Sequence, residues 1–269
     1  MLMRKPNKVR QKLNNGQCVI GSAIYSCSPA MVEAAGYAGI DFLRIDTEHS
    51  WRRDDSLENM IRAATIADVV PIVRVDRDDP YVIRKALESG AGGIVVPQIL
   101  SVEDAENVVK ASKFPPRGTR GFALLCQSGE WGARSGSEWK EWSDTEPMIG
   151  VMIESVKVMP CVDDILALDG LDFVLFGPAD YSLSLGLDGP DTQHPKVQEA
   201  LRRTIEAAKK VGKHVMFGVG KDEDMKKAAE MGVTMLEFAH DVVIFRTVLA
   251  DKVKKYQHST GPRIHWGRF

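Results

Sequence analysis

The 269-residue chain lacks any apolar run that approaches the roughly 20 residues of a membrane-spanning helix. Cysteine is scarce: Cys18, Cys27, Cys126 and Cys161 are the four, with no C-x-x-C pair among them. That spacing offers no disulfide framework, and reduced thiols in a cytoplasmic protein are expected. Neither sign of charge dominates, with 35 basic against 37 acidic residues and a net charge of −2. A polyanion such as nucleic acid is therefore not expected as the partner. No G-x-G-x-x-G follows the first candidate strand, which argues against a doubly wound dinucleotide-binding sheet. Solenoid repeats and low-complexity tracts are also missing. The basic opening, Arg4, Lys5, Lys8, Arg10 and Lys12, has no apolar run behind it, so residues 1–15 read as a solvated arm and not a signal peptide.

What the chain does contain is an alternation of short apolar runs with longer amphipathic stretches. The runs are Cys18–Ala23, Asp41–Ile45, Val70–Val75, Gly93–Val96, Ile149–Ile153, Phe173–Phe176, His214–Phe217 and Thr234–Phe238. Most read as strands buried on both faces. Helix signals lie between them: Asp79 before Pro80, Ser101 before Glu103 and Asp104, and Val197, Leu201, Ile205 and Ala208 at helical spacing. Eight strand–helix units in a chain of this length predict one single-domain α/β fold, a (β/α)₈ TIM barrel. Residues 113–147, rich in Gly, Pro, Ser and Trp, read as a long loop over the barrel mouth, and residues 257–269 as a tail.

In such barrels catalytic groups stand at the C-terminal ends of strands. Asp46, Glu48 and His49 follow the second run, Arg74 ends the third, Glu154 follows the fifth, and Gly177-Pro178-Ala179-Asp180 follows the sixth. Glu154 and Asp180 come from neighbouring strands, where two uncompensated carboxylates would repel and raise a pKa. A hard divalent cation, Mg²⁺ or Mn²⁺, resolves this and leaves coordination positions open for a chelating substrate. Arg74, inside an apolar run, needs an anion: either a structural carboxylate or a substrate oxyanion. His49 suits a general base, with Asp46 and Glu48 in the same loop. No role falls to His194, His214, His240, His258 or His265.

The segment 39–50, GIDFLRIDTEHS, resembles the second-strand signature of the HpcH/HpaI aldolase family. So do residues 93–98 (GIVVPQ), 114–121 (FPPRGTRG), Ile153-Glu154 and 176–182 (FGPADYS), in the family's order and over nearly the whole chain. The resemblance implies a class II, metal-dependent pyruvate aldolase on a barrel, assembled as a homohexamer with C-terminal helices exchanged between subunits. It implies cleavage of a 4-hydroxy-2-oxo acid to pyruvate or a related 2-oxo acid plus an aldehyde. Glu154 and Asp180 would bind Mg²⁺ or Mn²⁺, with Co²⁺ as a third candidate. His49 would be the base, Arg74 the group that stabilises the enolate, and the backbone at Gly177, Ala179 and Asp180 the carboxylate site. A lysine Schiff base is not required, and the strand ends named above carry no lysine.

Three departures from the family pattern stand out. Glu88 occupies the position of an Asp that raises the basicity of the histidine, so it keeps that dyad in altered geometry or is an ordinary helix-end residue. Met152 replaces a substrate-binding Gln, and a thioether is a poor hydrogen-bond partner. Trp51 replaces a Pro and Tyr181 a Leu; with Trp131 they either shape a bulkier acceptor pocket or simply pack. Two alternatives share these residues: a decarboxylase of an oxaloacetate-like acid, and a barrel that binds metal and ligand without catalysis.

Overall fold

The computed structural model describes residues 6–50, 55–75 and 79–260. Eight parallel strands close into a barrel in sequence order: β1 (Val19–Ile24), β2 (Phe42–Asp46), β3 (Val70–Arg74), β4 (Gly93–Val96), β5 (Met148–Ile153), β6 (Phe173–Phe176), β7 (His214–Val219) and β8 (Met235–His240), with β8 pairing back on β1. The helices are α1 (Lys8–Asn14), α2 (Pro29–Tyr37), α3 (Asp55–Ile66), α4 (Pro80–Glu88), α5 (Val102–Ser112), α6 (Gly136–Thr145), α7 (Val162–Ala167), α8 (Pro178–Ser184), α9 (Pro195–Lys210), α10 (Asp222–Met231) and α11 (Asp241–Thr260). Asp79 and Ser101 cap α4 and α5 as their sequence positions predict, each accepting backbone N–H bonds.

The two-residue period of a strand divides the core in two. Leu43, Ile45, Val73, Ile94, Val151, Ile153 and Val174 face outward into the larger apolar cluster beneath the helices. Phe42, Val70, Ile72, Val95, Met148, Met152, Phe173, Leu175, Met216 and Met235 face the barrel interior. Large rings fill that interior because glycine faces them: a Cβ on Gly150 would lie 2.3 Å from the Phe173 ring, and one on Gly21 2.5 Å from Phe42. The same alternation sets up the site. Arg44 and Asp46 follow Phe42 on the inward side, Arg74 follows Ile72, Glu154 follows Met152, and Glu237 follows Met235. Apolar residues thus fill the lower barrel, and charged ones crown it.

Two expectations need correction. The basic arm is in part a helix. α1 buries Val9 and Leu13 against the barrel floor, while its charges are paired at once: Arg10 with Asp172 at 2.8 Å and Lys12 with Asp41 at 2.6 Å. Residues 113–147 contain α6 and do not cover their own barrel's mouth. They connect α5 to β5, and a helix-to-strand connection in this topology arrives at the N-terminal end. Their contacts agree: Ser128 donates to the Glu88 carbonyl at the end of α4, and Arg10 and Asn7 reach Glu146.

Candidate active site

Asp46 is the junction of the upper barrel. It is fully buried, yet its carboxyl is held below the usual range. Burial alone would raise it, but the Arg74 charge, the His49 backbone N–H (2.9 Å to Oδ1) and Arg44 outweigh that penalty. Its Oδ2 accepts from Arg44 Nη1 at 2.8 Å and from Arg74 Nη2. Beyond Asp46 the chain turns outward, and Ser50 Oγ closes the turn by donating to the Asp46 carbonyl. His49 leaves this turn with its side chain 60% exposed, its Nε2 3.9 Å from Glu48 Oε2.

Arg74 stands at the end of β3, 5% exposed. Besides Asp46 it reaches Glu48 Oε2 at 3.0 Å, the phenol oxygen of Tyr25 at 3.3 Å and the Met152 sulfur at 3.9 Å. Its Nε is buried with no hydrogen-bond partner among the described residues. The anion required by its apolar setting is therefore present, in two carboxylates.

Glu154, 8% exposed, follows β5 on the inward face. Its Oε1 accepts the Gln98 backbone N–H at 2.5 Å, and Gln98 adopts a left-handed φ of 57° to present it. Burial pushes the Glu154 carboxyl up to about 7, and the charges of Asp180 and Glu48 push the same way against the Gln98 N–H and Arg74. Gly177 must be small, since a Cβ there would sit 2.9 Å from the Glu154 Cβ and 3.0 Å from Oε2. This close approach carries the chain into α8, whose first turn exposes Ala179 and Asp180 at the rim. Their N–H groups precede the first bond of that helix, from Tyr181 to the Gly177 carbonyl.

The structure thus brings Asp46, Glu48, His49, Arg74, Met152, Glu154, Gly177, Ala179 and Asp180 to one rim. It does not bring Glu88 to His49 within one chain. Glu88 ends α4 on the way down to β4, buried beside Lys85 at 3.5 Å and Arg84 at 3.9 Å, with Arg120 close enough to feel its charge. Tyr181 turns into the core against Phe176, at 5.5 Å between ring centroids, and Trp131 belongs to the segment on the opposite end. Trp51 lies outside the described residues.

Sequence reasoning missed four groups. Arg44 and Glu237 are 4% exposed and joined by two bonds of 2.6 and 2.8 Å. Tyr25, at the end of β1, stacks on His240 at 5.0 Å, and burial raises the phenol's pKa and lowers that of the imidazole. Arg44 and Glu237 carried the same signal as Arg74, a charge inside an apolar run; Tyr25 and Gln98 carried none.

Among the described residues, five carboxylates, of Asp46, Glu48, Glu154, Asp180 and Glu237, meet two guanidiniums, of Arg44 and Arg74, in this region. No three His, Cys, Asp or Glu groups cluster as a complete metal-binding set among the described residues. The arrangement offers instead a pair of acids, Glu154 and Asp180, that feel each other's charge beside a fixed guanidinium.

Residues 23–247 match the HpcH/HpaI aldolase/citrate lyase family. The chain belongs to that family. It is 31% identical over 253 residues to the 5-keto-4-deoxy-D-glucarate aldolase of Escherichia fergusonii, covering 93% of this chain and 98% of the relative. It is 30% identical over 242 residues to the hydroxypyruvate/pyruvate aldolase of Roseobacter denitrificans, covering 88% and 92%. Among solved structures, citrate synthase SbnG superposes with a TM-score of 0.84 at 33% identity, over 94% of this chain and 98% of that one. Family membership makes the chain a lyase of the aldolase type. No helix among the described residues is long and apolar enough to cross a membrane.

Proposed function

We propose that the chain is a metal-dependent aldolase that reversibly cleaves a 4-hydroxy-2-oxo acid into pyruvate, or a related 2-oxo acid, and an aldehyde. The observation that carries this reading is the meeting of Glu154 and Asp180 on one rim, with Arg74 beside them and family relatives that are named aldolases. The donor set fits a divalent cation. Two carboxylates suit a hard ion, and the Glu154 carboxyl, raised chiefly by burial and further by the charges of Asp180 and Glu48, is one that a cation would help to ionise. Glu154 and Asp180 would hold Mg²⁺ or Mn²⁺, with Co²⁺ as the remaining candidate. When bound, the ion supplies a Lewis acid for the carboxylate and ketone oxygens of the 2-oxo acid.

The chain's own residues would do the rest. The N–H groups of Ala179 and Asp180, at the start of a helix, receive the substrate carboxylate, and the absence of a side chain at Gly177 keeps Glu154 next to that turn. Arg74 places a fixed positive charge where the ketone oxygen becomes an enolate oxygen as the C3–C4 bond breaks. His49, exposed at the mouth, takes the proton from the 4-hydroxyl, so that the electron pair of that O–H bond forms the aldehyde carbonyl. In the synthetic direction the same imidazole returns the proton to the new hydroxyl. Met152, next to Arg74, fills space on the enolate side without offering a strong hydrogen bond.

A homo-oligomer, hexameric as the family resemblance implies, belongs to this reading. α11 leaves Phe245, Val248, Leu249, Val253 and Tyr256 exposed, and an apolar groove lies between its first turns and Met31, Ala34 and Ala35 of α2. Such a surface is unusual on a monomer. The functional assay is purified protein with Mn²⁺, given pyruvate and a panel of aldehydes, against oxaloacetate alone. Aldol product supports the reading. Carbon dioxide from oxaloacetate with no aldol product replaces it by decarboxylation, and turnover of neither in any metal leaves a non-catalytic barrel.

A further inference from the structure

β1 runs between β8 and β2, and above Val19, which joins the interior apolar cluster, its inward residues are Gly21 and Ala23. Gly21 pairs with Glu237, and Ala23 pairs with Arg44. Gly21 takes the Phe42 ring against its backbone, and above it the small Ala23 leaves room inside the barrel for Arg44 and Glu237 to meet across the strand. They do so in a two-pronged contact, Nε to Oε2 at 2.6 Å and Nη2 to Oε1 at 2.8 Å. Each residue is 4% exposed.

A buried ion pair of this kind adds little net stability, since desolvating both charges offsets most of their attraction, and apolar residues of similar size would fill the space as well. What apolar residues could not do is offer the third donor. Arg44 Nη1 bonds Asp46 Oδ2 at 2.8 Å, the same oxygen that receives Arg74 Nη2. The other oxygen of Asp46 takes the His49 N–H. With Glu237 holding two of its nitrogens, Arg44 is fixed in plane, and it fixes Asp46 in turn.

We propose that Arg44, clamped by Glu237, is a positioning residue of the reaction: it pins the Asp46 carboxylate and thereby sets where Arg74 and the His49 turn stand. The proposal rests on the roles given to Arg74 and His49 above. Without the clamp, Asp46 is free to follow Arg74, and the guanidinium loses its fixed place at the developing oxyanion. A displacement of about 1 Å at such a group is enough to lower turnover by up to about 10²-fold.

The test is the paired substitution Arg44→Met with Glu237→Leu, which removes both charges and keeps the interior apolar and filled. Four quantities are compared with the wild type: melting temperature, Mn²⁺ affinity, the kcat and KM of Mn²⁺-dependent deuterium exchange into the pyruvate methyl group, and amide hydrogen exchange of residues 46–50. The expected result is a melting temperature within about 5 °C and Mn²⁺ affinity within about twofold, because the ion pair is not what holds the fold or the acids. With them come a kcat lowered about 10- to 100-fold and faster amide exchange at 46–50. A folded double variant with unchanged kcat and unchanged amide exchange overturns the proposal. Should the double variant fail to fold, Glu237→Gln, which keeps the side chain's shape, is held to the same criteria. If the wild type itself shows no Mn²⁺-dependent exchange, the functional reading fails. Amide exchange at 46–50 then still decides whether Arg44 and Glu237 hold the turn: faster in the variant upholds the clamp, equal rates refute it.

Discussion

The two ends of the barrel both bury charge, and they do it differently. At the floor most charged side chains are paired, the exception being Arg120, whose buried guanidinium lies over the Phe114 ring without a hydrogen-bond partner among the described residues. Arg10 bonds Asp172 and the carbonyls of Glu146 and Pro147, Lys12 bonds Asp41, and Lys213 bonds the carbonyls of Leu168 and Leu171. Asp172 and Asp41 also cap the bottom of the sheet by accepting the N–H groups of Ile149 and Ile20. At the mouth, among the described residues, five carboxylates stand against two guanidiniums, and the Glu154 carboxyl is pushed up to about 7, chiefly by burial. A closed network serves the fold. In the function proposed above, a cation held by Glu154 and Asp180 would add positive charge to the open one.

Removing an acid at the mouth should break this contrast most severely. Asp180→Asn is expected to abolish metal-dependent turnover and to weaken Mn²⁺ binding by at least about 100-fold while the melting temperature of the metal-free protein holds or rises, since one repelling charge is gone. Metal titration and thermal unfolding measure both. Retained Mn²⁺ affinity would remove Asp180 from the site.

Arg74→Ala comes next. It is expected to lower kcat by about 10²–10³, as for loss of one oxyanion donor, with Mn²⁺ affinity nearly unchanged. Steady-state kinetics beside metal titration separates these effects, and unchanged turnover would show that Arg74 is only the partner of Asp46 and Glu48.

The pH dependence of the mouth follows from Glu154. Its folded value of about 7 lies above the ordinary 4.5, so the folded chain holds this proton more tightly than the unfolded one. Its contribution to stability is complete below 4.5 and is lost as pH rises through 7, which makes the metal-free protein weaker at pH 8 than at pH 5.5 as far as this group is concerned. Metal must displace the same proton. Mn²⁺ affinity should therefore fall by up to about tenfold per unit as pH drops below 7, and Glu154→Gln should remove that slope along with most of the affinity. Titrations at several pH values test the sign directly.

The floor should respond in the opposite sense. Asp172→Ala is expected to cost about 1–3 kcal/mol, by leaving the Ile149 N–H without its acceptor and Arg10 without its carboxylate, while kcat of the folded protein stays within about twofold. Denaturant unfolding and kinetics on the same preparation check it. The smallest effect belongs to Met152→Gln. One added hydrogen bond of about 0.5–1.5 kcal/mol would change KM for the 2-oxo acid by about two- to tenfold.

Much of this contrast could be read from the residues. The eight strands were legible because double-sided burial leaves unbroken apolar runs, and the observed bounds differ only by a residue or two, as at Val19–Ile24 against Cys18–Ala23. The rim positions of Asp46, Arg74 and Glu154 were legible because each ends or directly follows such a run at a strand's C-terminus, and that of Asp180 because it lies in the short helical turn that leaves β6. Arg44 and Glu237 interrupt runs too, but their meaning depends on β8 closing onto β1, which no local pattern states. α1 escaped notice because only Val9 and Leu13 of its seven residues are buried, too few to show a period. The position of 113–147 was misjudged because length and composition mark a loop without saying which end of the barrel it visits. Gln98 contributes a backbone N–H through a left-handed turn, which leaves no trace in side-chain chemistry.

The most direct test of the account is deuterium exchange into the methyl group of pyruvate, followed by NMR with Mg²⁺ or Mn²⁺ present and again with excess EDTA. Rapid exchange that chelation abolishes, and that Asp180→Asn cannot support, is the predicted outcome. Exchange that continues undiminished in EDTA would contradict the claim that the acids at the mouth work by holding a cation.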